Sequence, residues 1–185
     1  LQKDSLDKKS PHKQNVLGGI VNTFLFGRTF ATSDKKAWIT FPGLPVYVPE
    51  YNLVDGFWLG VRLKMGIDLS PSSSLRFTPF VYYATACKNW MGQGELVLNY
   101  APRNRGRLTL AGGFTSADYN GESGESRLIN ALSSSLFGHN YVKLYEKTFF
   151  TVSHEIEPLN GLLFSSSLSW QRRQMVENRI HHNWF

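Results

Sequence analysis

The stretch Phe57-Trp58-Leu59-Gly60-Val61-Arg62-Leu63-Lys64-Met65-Gly66-Ile67-Asp68-Leu69 has a large apolar side chain at every odd position, and five of its six even positions are Gly or charged. A period of two is the mark of an extended strand whose two faces meet different surroundings. Thirteen residues rising ~3.3 Å each reach ~43 Å, and a tilt of ~45° reduces this to ~30 Å, the depth of a bilayer's hydrocarbon core. Soluble strands average about five or six residues. A strand this long, apolar on one side and charged on the other, fits a transmembrane β-barrel better than a soluble sandwich.

Working outward, other runs of the same kind appear. Residues 75–87 alternate, with Leu75, Phe77, Pro79, Val81 and Tyr83 on one side and Arg76, Thr78, Phe80, Tyr82 and Ala84 on the other. Residues 90–100, 107–119, 141–156 and 162–171 follow, and residues 16–30 and 37–41 are two weaker strands joined by Thr32-Ser33-Asp34-Lys35-Lys36. Prolines make residues 43–50 irregular or an edge. Ser126 can cap a short loop helix bearing Leu128, Ile129, Leu132, Leu136 and Phe137, stopped by Gly138. The expected fold is all-β: an antiparallel up-and-down transmembrane β-barrel, or a segment of one, with one short helix in a loop. The divisions are a polar lead-in over 1–15, the barrel segment over 16–175 and an unassigned tail over 176–185.

Composition is consistent with a barrel, because alternation hides lipid-facing residues from a hydropathy average. Mean hydropathy is −0.26, and no apolar run approaches the ~20 residues of a membrane helix. Aromatics at 14% and 16 glycines match girdles and close strand approaches. Cys87 is the only cysteine, so no disulfide framework exists. Leu1-Gln2-Lys3-Asp4 lacks Met and a signal peptide's apolar core, which reads as a mature chain or a piece of a longer one. The net charge of +6 lies largely in terminal and turn residues such as Lys8, Lys9, Arg103 and Arg105, without a nucleic-acid motif. Membrane lipid is therefore the expected partner, and nucleic acid is not.

Turns at Pro71, Pro102 and Pro158 alternate with connections that include the long one carrying the helix. Short periplasmic turns and longer outer loops are the barrel pattern, which places the proline turns in the periplasm.

No catalytic constellation emerges. His154 with Ser165, Ser166 or Ser167 lacks a Gly-x-Ser-x-Gly elbow, and His139, His181 and His182 lack a ligand pattern, so neither catalysis, metal nor cofactor is expected. The charged face of the long strand is the better candidate: Arg62, Lys64 and Asp68 would line a wet lumen and tune solute preference. Trp58, Trp90, Tyr100, Tyr141 and Trp170, near strand ends, are read as an aromatic girdle.

Three strings carry a resemblance: Tyr51-Asn52-Leu53-Val54-Asp55-Gly56-Phe57, the Pro102 turn, and Leu128-Ile129-Asn130 running into Asn140-Tyr141-Val142-Lys143-Leu144-Tyr145-Glu146-Lys147. The chain resembles a Gram-negative outer-membrane family of unknown function. In that family a carboxypeptidase-regulatory-like sandwich precedes a β-barrel related in appearance to TonB-dependent transporters. The resemblance spans most of residues 17–175 and implies an outer-membrane location. It also implies a larger barrel completed by other segments, with other outer-membrane or periplasmic proteins as partners. The expected function is a non-catalytic transport or envelope-assembly component; the alternative is a soluble barrel or sandwich that binds an apolar ligand or a protein. The odd face of residues 57–69 separates the two, being lipid-exposed in the first and packed inward in the second.

Overall fold

The structure is a computed structural model that describes residues 16–43, 51–119, 133, 134, 136 and 143–180. Its strands are β1 (Arg28–Ala31), β2 (Ala37–Phe41), β3 (Tyr51–Asn52), β4 (Gly56–Arg62), β5 (Lys64–Ser70), β6 (Ser73–Ala84), β7 (Asn89–Tyr100), β8 (Gly106–Asp118), β9 (Leu144–Leu159) and β10 (Leu162–Met175), preceded by helix α1 (Val16–Phe26). All pairings are antiparallel, in the order β1-β2-β5-β6-β7-β8-β9-β10, with β4 pairing β3 and β6.

The long strand read from residues 57–69 is present, written as β4 and β5 along a single neighbour. Arg62 pairs with Phe80 and Met65 with Phe77, so the register passes through Leu63 without a slip. The interruption has a chemical cause: Leu63 N–H donates to the Pro79 carbonyl at 3.0 Å, and proline has no N–H with which to return the bond. On the other side of this strand β2 pairs β5 and β3 pairs β4. Each pass of the chain thus lies beside the pass before it, which is up-and-down connectivity.

The expected closure is not found. Among the described residues the sheet is open, with β1 paired only to β2 and β10 only to β9. It is nevertheless strongly curled. The Arg179 and Ile180 amides, just beyond β10, donate to the Leu53 carbonyl beside β4 at 2.9 and 3.0 Å. The four residue steps from Met175 to Arg179 reach at most ~14 Å, whereas five strand spacings across a flat sheet measure ~24 Å.

The second correction concerns residues 16–26, expected as part of a strand and found as helix α1. Gly27, at φ 74°, ends the helix by donating its N–H to the Thr23 carbonyl at 2.9 Å. Phe24 meets Phe41 edge-on at 5.7 Å between ring centroids, holding α1 against β2. Third, Pro158 belongs to the end of β9 and the turn itself is Asn160-Gly161. Of the helix expected after Ser126, Ser133, Ser134 and Leu136 are helical and the remainder lies outside the described residues.

The two faces of the sheet are unlike each other. Odd residues of the long strand point away from the curl: Phe57, Leu59, Ile67 and Leu69 are 46, 56, 47 and 58% exposed. Phe77 and Val81 of β6, Phe150 of β9 and Leu168 of β10 extend the same exposed apolar surface. The compact core lies on the other face, where Trp58, Tyr82, Ala84 and Met91 cluster with Phe80, Cys87 and Phe114 packed against them.

Candidate functional site

The inner face is built by alternation, and the register fixes who stands beside whom. Starting from Arg62, the row of partners runs Phe80, Gln93, Gly113, Phe149 and Gln171 across five further strands. One residue pair further along, Thr78, Glu95, Ala111, Thr151 and Ser169 form the next row on that face. A depression of about 390 Å³ opens here, lined by Arg62, Lys64, Thr78, Phe80, Gln93, Glu95, Ala111 and Phe149 among others. Arg62 rests over the Phe80 ring at 4.6 Å from its centroid. The guanidinium is held over an aromatic face.

Of the three charged residues singled out from the sequence, Arg62 and Lys64 are brought together at this depression. Asp68, on the same face by alternation, lies nearer the short-turn end, in a second hollow with Lys36, Ser70, Ser74 and Asn99. The hydroxyl ladders of β9 and β10 continue the polar lining, with Thr151 against Ser169 at 3.0 Å and Ser153 against Ser167 at 2.9 Å.

The aromatic expectations divide. Trp90 is 66% exposed on the outer face and packs against Tyr83 at 5.4 Å. Tyr100 and His154 lie parallel, their rings stacked and the Tyr100 hydroxyl hydrogen-bonded to His154 Nε2, near the end bearing the short turns. Trp170 is exposed on the outer face but sits within β10 rather than at its end. Trp58 is placed differently from the expectation: it is an even residue, buried on the inner face and stacked on Tyr82 at 4.2 Å. Tyr141 lies outside the described residues.

Sequence reading missed the cap at one end of the inner face. Asn52 Oδ1 accepts the Val54 and Asp55 amides at 2.9 and 2.7 Å, bending residues 51–55 into a buried turn. Fully buried Asp55 then accepts from Trp58 Nε1 at 3.1 Å and from the Cys87 thiol at 3.3 Å. Tail residue Arg179 pairs with Glu146 at 3.3 Å over the same end. The available signal was Asn52-x-x-Asp55-Gly56 before an apolar strand, a turn motif with a carboxylate too close to the strand to be solvated.

Burial, and then the Asp55 charge and hydrogen bond, push the Cys87 thiol up to about 12. At pH 8 about one thiol in 10⁴ is then ionised. Folded protein should react with iodoacetamide orders of magnitude more slowly than unfolded protein, and mass spectrometry over a time course would check it; equal rates would contradict the burial of the thiol beside Asp55. Among the described residues no three His, Cys, Asp or Glu side chains converge to hold a metal.

Neither a curated protein nor a solved structure matches the chain significantly. Residues 21–185 match the C-terminal domain of a family of unknown function, DUF5686, and the chain belongs to that family.

Proposed function

We propose that this chain is part of an integral outer-membrane β-barrel, related in appearance to the TonB-dependent transporters, that serves transport or envelope assembly without catalysis of its own. One observation carries the reading: the outward side of the sheet is apolar and exposed, while the inward side carries polar rows beside the Trp58–Tyr82–Met91 core. A soluble single sheet would cover its apolar face with a second layer. Here Phe57, Leu59, Ile67, Leu69, Phe150 and Leu168 remain exposed along successive strands while Arg62, Lys64, Gln93 and Glu95 face in. A contiguous apolar surface of that kind is tolerated in lipid and rare in water.

Open edges fit the same reading. Among the described residues the 14-residue strand β10 pairs on one side only, and an edge left unpaired is not tolerated in hydrocarbon. Further strands of a longer protein would pair β1 and β10 and close the barrel. The short turns at 71–72, 101–105 and 160–161 would face the periplasm, and the end bearing the 119–143 connection would face outward.

Cell fractionation tests this. The protein should sediment with outer membranes, resist carbonate and high-salt washes, and leave them only in detergent. Recovery as a monodisperse species in plain buffer would overturn the proposal in favour of a soluble binding protein.

A further inference from the structure

The β9–β10 hairpin runs past its neighbour at the short-turn end and changes character there. The β8–β9 pairing ends at Arg107 and Glu155, whereas β9 continues to Leu159. Leu162 pairs with Leu159 and Phe164 with Ile156, so three steps along β9 answer two along β10. This is a β-bulge, and Pro158, which has no N–H to give to a ladder, lies within it. Simple alternation would turn Leu159 to the inner face. The bulge returns it to the outer face with Leu162 and Phe164, and these three side chains are 67, 56 and 57% exposed.

A polar hollow of about 270 Å³ adjoins this apolar tip, with Arg103, Asn104 and Arg105 of the 101–105 turn on one side and Glu157, Pro158 and Asn160 on the other. Pro158 and Asn160 line the hollow while Leu159 between them faces outward, so the two surfaces meet on one hairpin. The turn is braced from β9. Asn104 Nδ2 donates to the Glu157 carbonyl at 3.3 Å. Glu157 Oε1 accepts the Gly161 amide at 2.7 Å, and Oε2 pairs with Arg105 Nε at 3.3 Å. Glu157 is thereby committed through both oxygens, while the Arg105 side chain stays 77% exposed. Among the described residues Arg103 makes no ion pair, and the lining sets two guanidinium groups against one carboxylate. On the outer face beside the turn, Tyr100 crosses Gly106, where a side chain would collide with its ring, to hydrogen-bond His154 Nε2. Such a pair, apolar in body and polar at its tip, suits a membrane interface.

We propose that the hollow and the hairpin tip together hold an anionic phospholipid, its phosphate between Arg103 and Arg105 and its acyl chains along Leu159, Leu162 and Phe164. Charge complementarity and adjacency carry the assignment: braced guanidinium groups, whose planar fork matches phosphate oxygens, stand directly beside exposed apolar side chains. The proposal rests on the outer-membrane reading and deepens it, naming the lipid class that the short-turn end selects.

The test is native mass spectrometry of the full-length protein in detergent, with phosphatidylglycerol, phosphatidylcholine of the same acyl chains, and glycerol 3-phosphate as a free phosphate source. Phosphatidylglycerol should be retained roughly tenfold or more over phosphatidylcholine, and glycerol 3-phosphate should not be retained. Arg103→Gln should weaken retention about fivefold without moving the unfolding temperature, since the Arg103 side chain braces nothing. Leu159→Ser/Leu162→Ser should weaken it as well, whereas Lys35→Gln, in another turn at the same end, should leave it unaltered. Equal retention of the two lipids, glycerol 3-phosphate binding as tightly as lipid, unaltered retention in Arg103→Gln, or an equal loss in Lys35→Gln would each overturn the proposal. A protein that needs detergent yet shows no lipid preference would sink this site and leave the barrel reading standing, whereas recovery in plain buffer is the failure of the barrel reading itself.

Discussion

Tyr82→Ala should be among the most damaging single substitutions in the chain, costing roughly 4 kcal/mol, while Tyr82→Phe costs about 1 kcal/mol. Tyr82 is completely buried, stacked on Trp58 at 4.2 Å and on Phe80 at 4.9 Å, so truncation removes the centre of the inner-face cluster. Its hydroxyl meets Thr115 Oγ1 at 2.7 Å and accepts the Ser116 amide at 3.3 Å, tying β6 to β8 across β7. Phenylalanine keeps the stack and loses the hydroxyl's bonds, including the one it donates to Met91 Sδ at 3.3 Å. Reversible urea unfolding in lipid or detergent would measure both; similar small losses for the two would mean that the cluster does not hold this end of the sheet.

Leu59→Arg should cost roughly 2–4 kcal/mol in a bilayer and Lys64→Gln less than about 1 kcal/mol. The difference follows from the direction of each side chain. Leu59 is 56% exposed on the outer face, where a guanidinium would enter hydrocarbon, whereas Lys64 lines a polar depression where an amide is accommodated. In plain detergent-free buffer an exposed Arg would be harmless, so the penalty reports the surroundings rather than packing. Equal effects at the two positions would show that both faces meet water or that both are packed.

Strands were legible in this sequence wherever alternation was strong and prolines and glycines punctuated it. Residues 57–69 gave the strand, and of its odd residues Phe57, Leu59, Val61, Ile67 and Leu69 are exposed, while Leu63 and Met65 are half-buried and the even residues Gly60, Lys64 and Asp68 are exposed too. Arg62 and Lys64 were placed on one face by that same period, and the pairing with β6 and β7 then sets them beside Phe80 and Glu95. The period also argued against Trp58 as a girdle residue, because an even position on this strand points inward; its aromatic type outweighed its parity in the reading. For α1 the helical signal was present and overlooked. Val16, Leu17, Ile20, Val21, Phe24 and Leu25 recur in pairs every four residues, and Gly27 follows at the position of a helix stop.

Other features could not be read because they depend on non-local pairing. Lys147 and Arg173 are 26 positions apart in the chain, and only the β9–β10 register makes them opposite neighbours. The contact of Arg179 with Leu53 and Glu146 likewise requires the curl of the sheet. Pro158, taken as a turn residue, is tolerated at the short-turn end of β9 because a strand end loses little when one N–H is missing.

The central claim is that odd and even residues of the long strand meet different media. Single cysteines at positions 57 to 69, introduced with Cys87→Ser and spin-labelled in bilayers, would report it through collisions with oxygen and with a water-soluble nickel complex. The account predicts a period of two, with oxygen accessibility high at 57, 59, 61, 67 and 69 and low at the even positions. Nickel access matching oxygen access at the odd positions, or no alternation at all, would contradict it.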